Sequence, residues 1–292
     1  MHSLNQKKDL KLLLKSYKNQ IDDLIEKKYG VFCDETSLNK ACYYALEGSA
    51  KRFRPCITLI VADLLKNDLS ASYGALAVEL FHTASLIADD LPSMDDDSER
   101  RDKPALHKVY GEGVALLSSY ALIGEGYQCV LKNKEMLFGK LSDLDVRGDL
   151  AIGMLAQNNG LDGAPSGQFL DLYPPEINQK NLDLIFYRKT VLFFETAFVI
   201  GWLFGGGDLD QLDDVKKAAN HFGMAFQIYD DFCDLDQDRL KGKEINYPLS
   251  LGIEKSKVYL KGHTNECSLL LKKLGLSGRH FLEMLNLIEA PL

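Results

Sequence analysis

The sequence predicts an all-α protein, and three observations predict it. Apolar residues recur at three- and four-residue steps through most of the 292 residues, the spacing of one buried helical face. Alternating apolar–polar runs and Asn-Gly hairpin signals are nearly absent. The eight prolines fall mostly where a helix should begin or end.

Residues 6–28 set Leu10, Leu13, Leu14, Tyr17, Ile21, Leu24 and Ile25 on one face. The same period predicts helices over about 37–47, 54–66, 72–91, 112–133, 144–158, 180–204 and 210–235, and over 250–289 in pieces. Pro55 and Pro248 suit the first turns of two helices, whereas Pro92 should end the helix before it. Loops are expected near Gly30, residues 67–70, residues 158–167, Pro174-Pro175 and residues 205–207. No repeat, low-complexity tract or linker divides the chain. Residues 1–292 therefore read as a single domain, a bundle of about ten helices with its site in the interior.

Composition narrows the function. With 46% hydrophobic residues the chain can bury a sizeable core. A formal charge of −8 argues against nucleic acid as a partner, which needs a basic face. Six scattered cysteines with no CxxC pair suggest reduced thiols and a cytoplasmic location, not zinc or disulfides. The N-terminus lacks an apolar signal core, and the longest strongly apolar run, 197–207, is far short of the roughly 20 residues of a membrane span. No stable membrane insertion is expected.

Two acidic clusters stand out. Asp89 and Asp90 close a predicted helix, where the negative end of the dipole disfavours anions by about 0.3–1 kcal/mol. Pro92 then turns the chain so that Asp95 can return towards Asp89. Asp230, Asp231 and Asp234 form the second cluster; Asp230 and Asp234 share one helical face and repel. Either cluster alone reads equally as a solvated acidic face. An EF-hand over 234–245 fails, because Arg239 and Ile245 occupy the positions of its Gly and Glu. Two oxygen-rich clusters beside buried surface, with cations around them, suit Mg²⁺ and phosphorylated ligands. The cations are Lys51 and Arg54 at a loop-to-helix junction, Arg100 and Arg101 after the first cluster, Lys189 with Thr190 in an apolar helix, and Lys243 after the second. His82 lies two turns before Asp89 on nearly the same face.

These motifs, GSAKRFRP (48–55), FHTASLIADDLPSMDDDSERRDKPALH (81–107), GQFLDL (167–172), KT (189–190), GMAFQIYDDFCD (223–234) and GKEINYP (242–248), together resemble the trans-isoprenyl diphosphate synthases, a polyprenyl synthetase family. The resemblance implies an isoprenoid synthase-type bundle around a central cavity, a homodimer, and about three Mg²⁺ ions per site. It implies that Asp89, Asp95 and Asp230 bind metal, with Asp90, Asp231 and Asp234 ligating or acting through water. Arg100, Lys189 and Lys243 would hold an allylic diphosphate, with Thr190 and Gln227 lining the reacting centre. Lys51, Arg54, His82 and Arg101 would hold isopentenyl diphosphate. The implied reaction is ionisation, condensation and elimination, which lengthens an all-trans prenyl diphosphate. Thr83 and Ala84 occupy the family's chain-length positions; small Ala84 favours the C20 geranylgeranyl product over the C15 farnesyl one. Ala88 and Ser119-Tyr120 depart from the common pattern. The rival functions are a terpene cyclase and a non-catalytic subunit of a heteromeric synthase.

Overall fold

The computed structural model describes residues 2–30, 38–240, 242 and 245–289. Within them the protein is helical, with one two-stranded ribbon. In chain order the helices are α1 (His2–Tyr29), α2 (Leu38–Leu46), α3 (Phe53–Leu64), α4 (Ser72–Asp89), α5 (Leu106–Tyr110), α6 (Glu112–Met136), α7 (Leu144–Asn158), α8 (Ala164–Leu172), α9 (Gln179–Phe186), α10 (Leu192–Phe204), α11 (Leu212–Cys233), α12 (Leu235–Leu240), α13 (Tyr247–Leu251), α14 (Ile253–Lys273) and α15 (Arg279–Glu289). Strands β1 (Glu99–Arg100) and β2 (Lys103–Pro104) pair antiparallel between α4 and α5, with Glu99 opposite Pro104 and Arg100 opposite Lys103.

The axis of the bundle is α10. All thirteen of its residues are buried, which is what an apolar run with no polar face requires. It packs against α3, α4, α7 and α11. Its C-terminal carbonyls would be orphaned inside the protein. Buried Arg147 answers them, donating to Leu203 O (3.2 Å) and Gly207 O (2.8 Å) while Asp143 Oδ1 accepts from its Nε at 2.7 Å. Where α3 crosses α10 the backbones nearly touch: a Cβ on Gly201 would lie 2.4 Å from Thr58 O. Aromatic rings of Phe53, Phe194, Phe198, Phe222 and Phe281 fill the space between α3, α10, α11 and α15.

Three features differ from expectation. The predicted helix 180–204 is interrupted at Tyr187–Val191 by a single π turn. Residues 164–167, part of the loop expected over 158–167, instead begin α8 (164–172), which Pro165 enters in the first turn, where its missing N–H is harmless. By length and composition α6 reaches membrane-span hydropathy, 1.2 over its most apolar window. Its Val, Leu, Ile, Ala and Cys residues raise that value, and 39% of the window is buried, with α4 its main packing partner. Five cysteines, Cys42, Cys56, Cys129, Cys233 and Cys267, are free thiols; Cys33 lies outside the described residues.

Gly201→Val is expected to lower unfolding stability by about 2 kcal/mol through overpacking at the α3–α10 crossing. A urea titration checks this: the midpoint should fall with the slope unchanged.

Candidate active site

The first acidic cluster sits where α4 stops. Pro92 breaks the helix, and the chain doubles back so that the Asp95 N–H donates to Asp89 O at 2.9 Å. The two neighbouring carboxylates then diverge. Asp90 is buried, and Arg100 holds it through Nε (2.9 Å) and Nη2 while also reaching Asp97 at 2.7 Å. Among the described residues Asp89 has no such partner. Loss of hydration, with Asp95 and Asp90 adding repulsion against the opposing pull of Lys189, pushes its carboxyl up to about 7. A carboxyl in that condition is short of positive charge.

Lys189 comes from the π turn, a distortion that often marks functional positions. Its ammonium pairs with Asp171 on α8 and lies 3.8 Å from Asp95 Oδ2. Burial alone would lower its pKa, but Asp171, Asp95 and Asp89 reverse the shift and keep it charged. The reach depends on Gly167, where a Cβ would stand 2.4 Å from the Lys189 backbone nitrogen. From α8 Gln168 Nε2 donates to Asp95 Oδ1 at 2.9 Å, and its buried Oε1 has no partner among the described residues.

The second cluster closes α11. Asp231 is buried; its Oδ1 accepts from Gln227 Nε2 (2.7 Å) and its Oδ2 from the Tyr247 N–H (2.8 Å). Burial pushes it up to about 7 despite those bonds. Asn246 Nδ2 donates to Asp231 O and Asp238 Oδ2, which fixes the chain entering α13. Asp230 and Asp234 are exposed. Asp230 is raised by lost hydration and by Asp234, against the fields of Lys51 and Arg54. Thr190 is half-buried in the π turn. Lys243 lies outside the described residues.

The basic residues gather around a carboxylate that sequence reasoning missed. Glu79, 1% exposed on α4, accepts from Arg52 Nη1 (2.6 Å) and Arg101 Nη2 (2.8 Å). Burial alone would raise its pKa, but the two arginines overcome that and lower it. Arg101 also donates to Ala45 O (3.0 Å) and Thr83 Oγ1 (3.2 Å), and Arg52 Nε donates to Asp22 Oδ1 (2.9 Å). Beside them Arg54 Nη1 meets His82 Nε2 at 3.2 Å and stacks over Phe194, 4.8 Å from its centre. Burial brings Arg54 down to about 10 and holds His82 well below its ordinary range. Arg54 Nε and His82 Nδ1 are buried without partners among the described residues. Lys51 is exposed. The signal for Glu79 was present: one acid in an otherwise apolar helix, three residues before His82.

Asp89 and Lys189 border a cavity of about 380 Å³. Its walls run past Ala84, Ala88, Ile123, Leu172 and Phe193 to Ser119, Tyr120, Phe169 and Tyr173. Ala84 is buried, and Ser119 Oγ donates to its carbonyl at 2.9 Å. Thr83 is buried on the Arg101 side.

This all-α fold is that of isoprenoid synthases. A family model described as polyprenyl synthetase matches residues 35–247, and the chain belongs to that family. It is 36% identical over 78% of its length to heterodimeric geranylgeranyl pyrophosphate synthase large subunit 2, and 35% identical over 77% to geranylgeranyl pyrophosphate synthase 4, both of Arabidopsis thaliana. It covers 63% of each of these relatives, less than two thirds of their length. Among solved structures it resembles an FPP/GFPP synthase from Zymomonas mobilis, with TM-score 0.83, 27% identity, and 96% of this chain and 99% of that one covered.

Ionising Asp89 or Asp231 works against the fold, because both pKa values are raised above the unfolded value near 4. Their contribution is favourable at low pH and is lost as pH rises through about 7. In EDTA, Tm of the wild type is expected to fall over that window more steeply than Tm of Asp89→Asn. Parallel Tm–pH curves would remove this account of Asp89.

Proposed function

We propose that the protein joins isopentenyl diphosphate to an allylic prenyl diphosphate of C5–C15, giving a longer all-trans prenyl diphosphate, with the C20 geranylgeranyl product favoured. The observation that carries this reading is the cavity, charged at Asp89 and Lys189 and apolar along Ala84, Ala88, Ile123 and Phe193. A diphosphate bearing a hydrocarbon tail has the same polarity.

The donor set fits Mg²⁺. Asp89 is a hard oxygen donor short of positive charge, with Asp95 close by. Among the described residues no three acids, histidines or cysteines already enclose one point. That suits an ion that takes one or two carboxylates and completes its shell with water and phosphate oxygens. Asp89 and Asp95 would hold two such ions and Asp230 a third; Asp90 and Asp231, engaged by Arg100, Gln227 and Tyr247, would set the positions of their neighbours. When bound, Mg²⁺ supplies charge that neutralises a departing diphosphate.

The chain's own residues do the rest. Lys189 adds positive charge where the allylic C–O bond breaks. The apolar walls keep water from the allylic cation. Arg54 Nε and His82 Nδ1 are donors that an anion would satisfy, so with Lys51 and Arg101 they hold isopentenyl diphosphate beside the cation. Its double bond attacks, and the adduct loses a proton to the released diphosphate.

We further propose a homodimer working in the cytoplasm. Exposed Leu116, Leu117 and Tyr120 on α6 supply an apolar face for a second copy, and the free thiols fit a reducing compartment. A second reading, one subunit of a heteromeric synthase, takes support from the name of the Arabidopsis large subunit.

The test is incubation of the chain alone with Mg²⁺, labelled isopentenyl diphosphate and allylic starters, followed by sizing of the prenyl product. Turnover by the chain alone supports the first reading; activity only with a second, different chain supports the second. Asp89→Ala and Asp230→Ala are each expected to cut turnover by about 10³-fold or more; near-normal rates would contradict their roles. Ala84→Phe is expected to shift the product to shorter chains, and an unchanged length would remove Ala84 from the cavity's end wall.

A further inference from the structure

Away from the cavity, α11 and α14 pack along their lengths, and each presents one histidine to the other. His221 Nδ1 and His263 Nδ1 are 3.0 Å apart, with ring centres at 5.1 Å. Both residues are half-buried, so solvent ions can reach them. Without a ligand one Nδ1 donates its proton to the other. The same contact has a second property. Two nitrogens at this separation, each about 2.05 Å from one ion, subtend about 94° there. That is the cis angle of a square-planar or tetragonal site, and is tighter than the tetrahedral angle zinc prefers.

We propose that His221 and His263 form a bidentate site for a divalent transition metal of tetragonal preference, Ni²⁺ or Cu²⁺, that bridges α11 and α14. Binding moves the shared proton from Nδ1 to Nε2 of the same ring and tilts the two rings, which now point nearly at each other, so that both Nδ1 lone pairs face the metal; no net proton is released. Burial favours the neutral rings this requires: it brings His263 down to about 4 and lowers His221 against the opposing field of Glu266. Glu266, exposed one turn beyond His263, adds negative charge on the side where His221 stands. Among the described residues no third histidine, cysteine or acid completes the set, so water fills the remaining positions and the metal exchanges readily. The bridge ties α14 to the helix that carries Asp230 and Asp231, nine and ten residues beyond His221.

The test is thermal unfolding of the full chain in saturating Mg²⁺ with added Ni²⁺. At a hundredfold excess over Kd the wild type is expected to gain about 5 °C in Tm. His221→Gln and His263→Gln keep a polar side chain without the ring nitrogens, and each should lose the gain; Asp230→Ala should keep it. Wild type that shows no gain, glutamine variants that retain it, or an Asp230→Ala protein that loses it would each overturn the site. Should the glutamine variants fold poorly, the EPR spectrum of Cu²⁺ on the wild type decides: two imidazole nitrogens on one ion are expected, and one or none would refute the bridge. None of these outcomes depends on prenyl transfer.

Discussion

Glu79 is the charge around which the basic half of the site is built. Arg52 and Arg101 both donate to its Oε1, and Arg54 feels its field from the first turn of α3. Three guanidinium groups this close would repel one another and the first turn of α3. With Glu79 buried among them, its bonds to Arg52 and Arg101 offset part of the desolvation cost of the buried charges, and its field stabilises Arg54. The backbone conforms to it. Arg52 and Arg101 both sit at positive φ, 50° and 59°, an unfavourable conformation for a side chain of that size, sustained by the bonds that their guanidinium groups make. Removing one partner from such a network leaves an uncompensated charge, which typically destabilises by about 3–5 kcal/mol.

The acidic half follows the opposite logic. Each Asp-Asp pair splits into one satisfied and one unsatisfied carboxylate. Asp90 and Asp231 are buried and saturated by Arg100, Gln227 and a backbone N–H. Asp89 and Asp230 make no such bonds among the described residues and have like charges close by; burial raises all four carboxyls. Successive residues on a helix point about 100° apart, so a pair can anchor with one member and present the other. The energy of the anchored member fixes the helix end; the strain on the presented one is relieved by whatever cation arrives.

Much of this architecture was legible in sequence, for reasons that particular elements illustrate. Helices α4, α6, α7 and α11 begin and end within a few residues of the bounds the sequence predicts. The central position of α10 was implicit in an apolar run with no polar face. What escaped was decided by tertiary contact. In α8, Gly163, Pro165 and Gly167 imitate a loop; yet Gly167 is there because Lys189 leaves no room for a Cβ. The ribbon 99–104 has two residues per strand, too few to show alternation. Which member of each aspartate pair faces inward depended on Arg100 and Tyr247, far from any local rule.

The π turn shows how these levels meet. A regular helix through 179–204 would carry an uninterrupted apolar face into the core, and residues 187–191 would continue it. One extra residue in that turn shifts the helical phase, so that Val191 remains fully buried while Lys189 faces α8 and the Asp89 side of the cavity. Asp171 and Asp95 bind the ammonium that leaves the widened turn, and the backbone of α8 packs on it at Gly167. The lysine's position is thus shared between two helices: α10 fixes where the chain enters the core, and α8 fixes how far its ammonium can reach. A side chain placed by packing from both directions has little freedom left to lose when an anion binds beside it, and preorganisation of that kind is what lets a charge act on a leaving group without first reorganising.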